Sequence, residues 1–145
     1  MQDQLTATAS ITLNATPERV WRALTDPAQI KKYLFGTDAR SDFKKGSTLT
    51  YTGEWEGKKY EDKGTIIESI PNSLLHTTYF SSMSGKEDKP ENYSNVYYKI
   101  EPTGKQTILT ITQDNNTDEK SRDHSQANWN MVLQGFKKVV EAKSS

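Results

Sequence analysis

The sequence predicts an α+β domain in which one antiparallel sheet curves around a single long C-terminal helix, with two short helices after the first strand. Three observations carry this reading. Residues 15–27 contain two helix starts in tandem, residues 127–141 form an apolar stripe at helical spacing led by Trp129, and nearly everything between 38 and 113 alternates with a period of two. At 145 residues the chain fits one domain spanning 1–145. Its hydrophobic fraction is only 32%, so much of the core must come from seven Tyr, three Trp and four Phe.

The first strand is read from Leu5, Ala7, Ala9, Ile11 and Leu13, which alternate with polar residues. Thr16-Pro17 then supplies a capping oxygen and a proline whose missing N–H costs nothing at the first helical position. Val20, Ala23 and Leu24 share a face. Asp26-Pro27 repeats the signal, and Ile30, Tyr33 and Leu34 form a second short stripe that Gly36 ends.

From Asp38 the period is two. Leu49, Tyr51, Gly53 and Trp55 line one strand face, and Tyr60, Gly64, Ile66 and Ile70 line one face of the next. Residues 74–80 read as a strand whose two faces are too alike to orient. Residues 81–95 are polar, contain Gly85 and Pro90, and predict an exposed, mobile loop. Val96, Tyr98 and Ile100 begin a further strand, and Leu109 and Ile111 anchor a threonine-rich one. Short turns at residues 44–46, 56–58 and 102–105 leave no room for parallel crossovers, so the pairing is antiparallel. Thr117, Asp118 and Ser121 are candidate caps for the final helix, on which Trp129, Val132, Leu133, Phe136 and Val140 share a stripe.

Nineteen basic and nineteen acidic residues balance, which removes the electrostatic footprint of phosphate binding and argues against a nucleic-acid partner. No apolar run is long enough to cross a bilayer and no secretory leader is evident, so no membrane insertion and cytoplasmic residence are the expectations. The chain has no cysteine, hence no disulfide, thiolate nucleophile or cysteine-ligated metal. His76 and His124 lie in different elements without clustered carboxylates, which argues against a metal. Glu54, Glu56, Glu61 and Asp62 interleave with lysines and read as a solvated surface. No phosphate loop, nucleophile elbow or zinc-protease helix is present, so no catalytic residue and no cofactor is assigned.

A sheet wrapped on a helix commonly encloses a pocket. Tyr51, Trp55, Tyr79, Met83 and Tyr98 are candidates for its wall, because aromatics with one polar tip suit an apolar site with a few orienting groups. Trp129, Leu133 and Phe136 are candidates for its floor. The same residues equally make an ordinary packed seam, and both readings stay open.

The order of elements resembles the helix-grip fold of the SRPBCC superfamily, which includes START lipid carriers and birch-pollen-allergen-like proteins. The opening residues Pro17, Val20-Trp21, Ala23-Leu24-Thr25-Asp26-Pro27, Ile30 and Tyr33, and the closing Trp129, Leu133, Phe136, Lys137 and Glu141, look most like the activator of heat-shock protein 90 ATPase homologue family. Tyr33 stands where many members carry tryptophan, and Asn128 where a glycine is usual. The resemblance implies a carrier or sensor binding a small hydrophobic or aromatic ligand between sheet and helix. It implies two alternatives, a chaperone-regulator-like domain that binds heat-shock protein 90 and a polyketide-cyclase-like enzyme.

Overall fold

The structure, a computed structural model, describes residues 5–34, 36–81 and 86–142, with the side chain of Trp55 also outside the description. Strand β1 (Ala7–Leu13) is followed by helices α1 (Pro17–Thr25) and α2 (Pro27–Tyr33). Strands β2 (Asp38–Arg40), β3 (Thr48–Trp55), β4 (Lys58–Ile70), β5 (Leu74–Tyr79), β6 (Ser94–Thr103) and β7 (Gln106–Gln113) come next, and helix α3 (Glu119–Glu141) closes the chain. The seven strands form one antiparallel sheet in the order β1-β7-β6-β5-β4-β3-β2. This is the α+β helix-grip arrangement.

The caps form where side-chain oxygens were available. Thr16 accepts the Arg19 N–H at 3.1 Å, and Asp26 ends α1 while accepting the Ala28 N–H at 3.0 Å to start α2. Of the three candidate caps for α3, Asp118 takes the role, accepting the Ser121 N–H at 2.8 Å. That bond holds the Asp118 carboxyl below its ordinary range. The two ends of the chain are then tied together. Arg19 donates to the Val139 carbonyl at 3.0 Å, and the Glu141 carboxylate accepts both the Asn14 N–H at 2.7 Å and the Lys137 ammonium at 2.6 Å.

Inside, Val132, Leu133, Phe136 and Val140 of α3 pack against Ala9, Leu13, Leu49, Ile66, Leu75, Val96, Ile100, Leu109 and Ile111 from the sheet, with α1 and α2 covering one end. The orientation of β5 is resolved: Leu75 and Thr77 are buried, so Leu74, His76 and Thr78 point to the outer face. His76 stacks there on Tyr97 at 4.1 Å between ring centroids and bonds Asn95 at 2.9 Å through Nε2.

One expected face is wrong. A bulge between Ile66 and Glu68 opposes one extra β4 residue to β5 and reverses the alternation beyond it. Ile66 is fully buried while Ile70, assigned to the same face by its spacing, is 45% exposed. A second irregularity lies just before it, where the Thr65 N–H donates to the Thr78 hydroxyl at 2.9 Å rather than to a backbone carbonyl. Bulges of this kind bend the strand that carries them. The strand expected from Asp38 also stops at Arg40, because Phe43 turns into the left-handed region at φ 54°.

Residues 86–93, expected to be a mobile exposed connection, carry a 3₁₀ turn at Pro90–Asn92 and several ties to the sheet. Asp88 pairs with Lys63 and accepts the Tyr93 hydroxyl, Tyr93 stacks on Phe80 at 5.1 Å, and Asn115 donates to the Glu91 and Tyr93 carbonyls. No helix among the described residues is long and apolar enough to cross a membrane.

Candidate functional site

Between α3, α2 and the concave face of the sheet lies a cavity of about 20 Å³. That is room for roughly one water. Of the eight residues singled out from the sequence, Tyr51, Tyr98, Trp129, Leu133 and Phe136 line it. They arrive from β3, β6 and successive turns of α3 because period-2 and period-3.6 faces meet at this seam.

Tyr79 stands one step away. Its ring lies 6.4 Å from that of Tyr51, and its hydroxyl donates to Asp62 at 2.8 Å. Met83 and the Trp55 side chain fall outside the described residues. Trp129 is partly buried rather than sealed in the core, with its ring edge-on to Tyr98 at 6.0 Å and its indole N–H donating to Gln113 at 2.7 Å.

Sequence reasoning missed the far wall. Leu24, Ile30 and Tyr33 of the two short helices, and Leu34 just after α2, form this side of the cavity, with Tyr33 edge-on to Phe136 at 4.8 Å. The stripe on α2 was visible; what it faced was not. Asp62 was also misread. It stands opposite Tyr51 in the β3–β4 ladder, on the concave side, rather than in a solvated charge cluster. The available signal was its parity with Gly64 and Ile66, which share that face.

The site is therefore an apolar interior carrying a few directed polar groups. Tyr33 donates to the Ala23 carbonyl at 2.9 Å, Tyr51 and Tyr98 act on each other's hydroxyls electrostatically, and Tyr79 donates to Asp62. Burial strips water from the phenolates that these groups would form, so ionisation of all four is disfavoured. The Tyr51 hydroxyl is pushed up to about 12, and those of Tyr33, Tyr79 and Tyr98 are raised as well. At neutral pH the site thus offers neutral hydroxyls that orient and do not carry charge. Among the described residues no group of three or more His, Asp or Glu gathers to hold a metal.

Raised tyrosines have a consequence for alkaline stability. Above pH about 10 the unfolded chain releases phenolic protons that the folded chain retains, so folding binds protons and stability falls as pH rises. The contribution is fully present below that value and is lost up to and beyond about 12, the Tyr51 value. Each such tyrosine removes up to about 1.4 kcal/mol per pH unit in that window. Stepwise alkaline titration should show tyrosinate absorbance from these rings appearing together with loss of the circular-dichroism signal. Full ionisation near pH 10 in a chain that stays folded would contradict the burial of these hydroxyls.

The chain is 46% identical to ChR145 from Cytophaga hutchinsonii, whose solution structure superposes with a TM-score of 0.84 over 96% of this chain and 95% of that one. CalU16 from Micromonospora echinospora is 20% identical with a TM-score of 0.75, over 97% of this chain and 76% of its own. The Aha1 dimer from Colwellia psychrerythraea is 20% identical with a TM-score of 0.72, over 97% and 98%. At such identities the last two speak for the fold alone. No curated protein matches the chain. The model of the family described as Activator of Hsp90 ATPase homolog 1-like protein matches residues 14–141, the span from the Asn14–Glu141 tie through the whole sheet and α3, and the chain belongs to that family.

Proposed function

We propose that the protein binds a small apolar or aromatic molecule at the seam between the sheet and α3, as a carrier or sensor. One observation carries the reading. Three tyrosines and one tryptophan, each with a polar tip, line a void in an otherwise apolar interior. A seam built only for packing gains nothing from phenols over phenylalanines, since each buried hydroxyl must be given a partner. A ligand site needs such groups to orient its guest.

The void of about 20 Å³ is far below the volume of such a guest, so binding opens the seam. Trp129 is the side chain placed to move, being partly buried and held by one hydrogen bond to the end of β7. Affinity comes from apolar burial at roughly 25 cal/mol per Å², less the cost of that opening. Fatty acids, flavonoids and aromatic polyketides, titrated into labelled protein, should perturb Tyr51, Tyr98, Trp129 and Leu133 together. Shifts confined to the outer surface would remove the proposal.

A second reading follows from the family, whose description names an activator of the heat-shock protein 90 ATPase. In that case the labelled domain, titrated with purified heat-shock protein 90, should lose signal intensity on one outer face while the cavity residues stay unperturbed.

A further inference from the structure

A second, larger hollow shares no lining residue with the interior seam. It measures about 360 Å³ and is lined by Trp21 and Thr25 of α1, by residues 42–45 between β2 and β3, and by Ser69 and Pro71 where β4 turns into β5. The hollow is broad and open to solvent, so a guest would lie against it rather than be enclosed. Trp21 and Pro71 supply apolar surface to its wall, while the ring of Phe43, another lining residue, is buried in the core.

Lys45 has its charge offset by Glu68 at 3.8 Å. Asp42 and Lys44 line the same hollow without pairing with each other, and among the described residues neither makes an ion pair. The Trp21 indole N–H likewise donates to no described residue. One carboxylate, one ammonium and one N–H donor thus stand beside an aromatic wall.

The segment that carries the two charges is held in a costly shape. Phe43 sits at φ 54°, a region that bulky side chains rarely adopt, while its own ring is buried. Two serine side chains fix it there: the Phe43 N–H donates to the Ser41 hydroxyl at 3.0 Å, and the Ser69 hydroxyl donates to the Phe43 carbonyl at 2.8 Å. Asp42 and Lys44 flank this pinned residue on either side.

We infer that this cleft is a binding site for a small zwitterionic aromatic molecule, of the chemical class of a free aromatic amino acid. Its carboxylate meets Lys44 and the Trp21 N–H, its ammonium meets Asp42, and its ring lies against Trp21 and Pro71. The chemistry is complementary to both signs at once, which a purely anionic or cationic guest would not use.

The test compares L-phenylalanine with 3-phenylpropionate, which lacks the ammonium, and phenethylamine, which lacks the carboxylate, by amide and indole chemical-shift titration. Phenylalanine should move the Trp21 indole N–H and the amides of residues 41–45 while the Trp129 indole N–H stays in place. It should bind about two- to fivefold more tightly than either analogue, the range expected of one exposed ion pair. Lys44→Ala should abolish the preference over phenethylamine and Asp42→Asn the preference over phenylpropionate; both positions are exposed, so the fold is retained. Equal binding of all three compounds, shifts at Trp129 in place of Trp21, or no shift at millimolar ligand would each overturn the inference.

Discussion

Replacing Phe136 by alanine should cost about 3–5 kcal/mol, read as a lower urea midpoint at unchanged slope. Phe136 is 1% exposed and lies where α3 meets both the sheet and α2. Its ring meets Tyr33 edge-on and borders the existing void, so truncation leaves a cavity that merges with space already unfilled. Collapse is hindered on one side by Tyr33, which its hydrogen bond to the Ala23 carbonyl holds in place. The cost therefore falls toward the upper part of the range, a large share of the roughly 5–15 kcal/mol that a domain possesses. Phe136→Leu should recover most of it. A loss under 1 kcal/mol for the alanine variant would mean that α3 is not seated on the sheet as described.

The fold was legible because its signals are local and periodic. Thr16-Pro17 and Asp26-Pro27 announce helix starts in four residues, and Val132, Leu133, Phe136 and Val140 announce the buried face of α3. The bulge at Ile67 was not legible, since no change in composition accompanies the extra residue that sends Ile70 outward. The cavity was half legible. Tyr51 and Tyr98 could be assigned to inward faces by alternation, yet whether their rings fill the interior depends on the small difference between two large volumes, which no spacing encodes. Asp62 was hidden for another reason. Lysines on either side of it made a charged surface of a segment whose even-numbered residues face inward. The cleft beside Phe43 was hidden altogether, because a left-handed phenylalanine is set by the tertiary contacts of its neighbours Ser41 and Ser69.

The close approach of β4 to β5 depends on Gly64. In an ordinary strand Gly→Ala reduces the entropy of the unfolded chain and stabilises by about 0.4–1 kcal/mol where space allows. Here a Cβ would overlap the Thr78 carbonyl oxygen on β5 and come within 2.6 Å of its carbonyl carbon. The obstruction is backbone, which cannot swing aside, so the sheet must open at the place where Thr65 already bonds a side chain in place of a ladder partner. Gly64→Ala should therefore destabilise by about 3 kcal/mol, the upper end for overpacking a closed site. Gly53, also in a paired strand, is the internal control. A Cβ there meets only the outer part of the Tyr60 ring, a side chain able to move once its 2.6 Å hydrogen bond with Thr37 is given up. Gly53→Ala should cost about 1 kcal/mol. Urea unfolding of the two variants gives the order directly. Gly64→Ala matching or exceeding the parent in stability would show that β4 and β5 do not approach this closely.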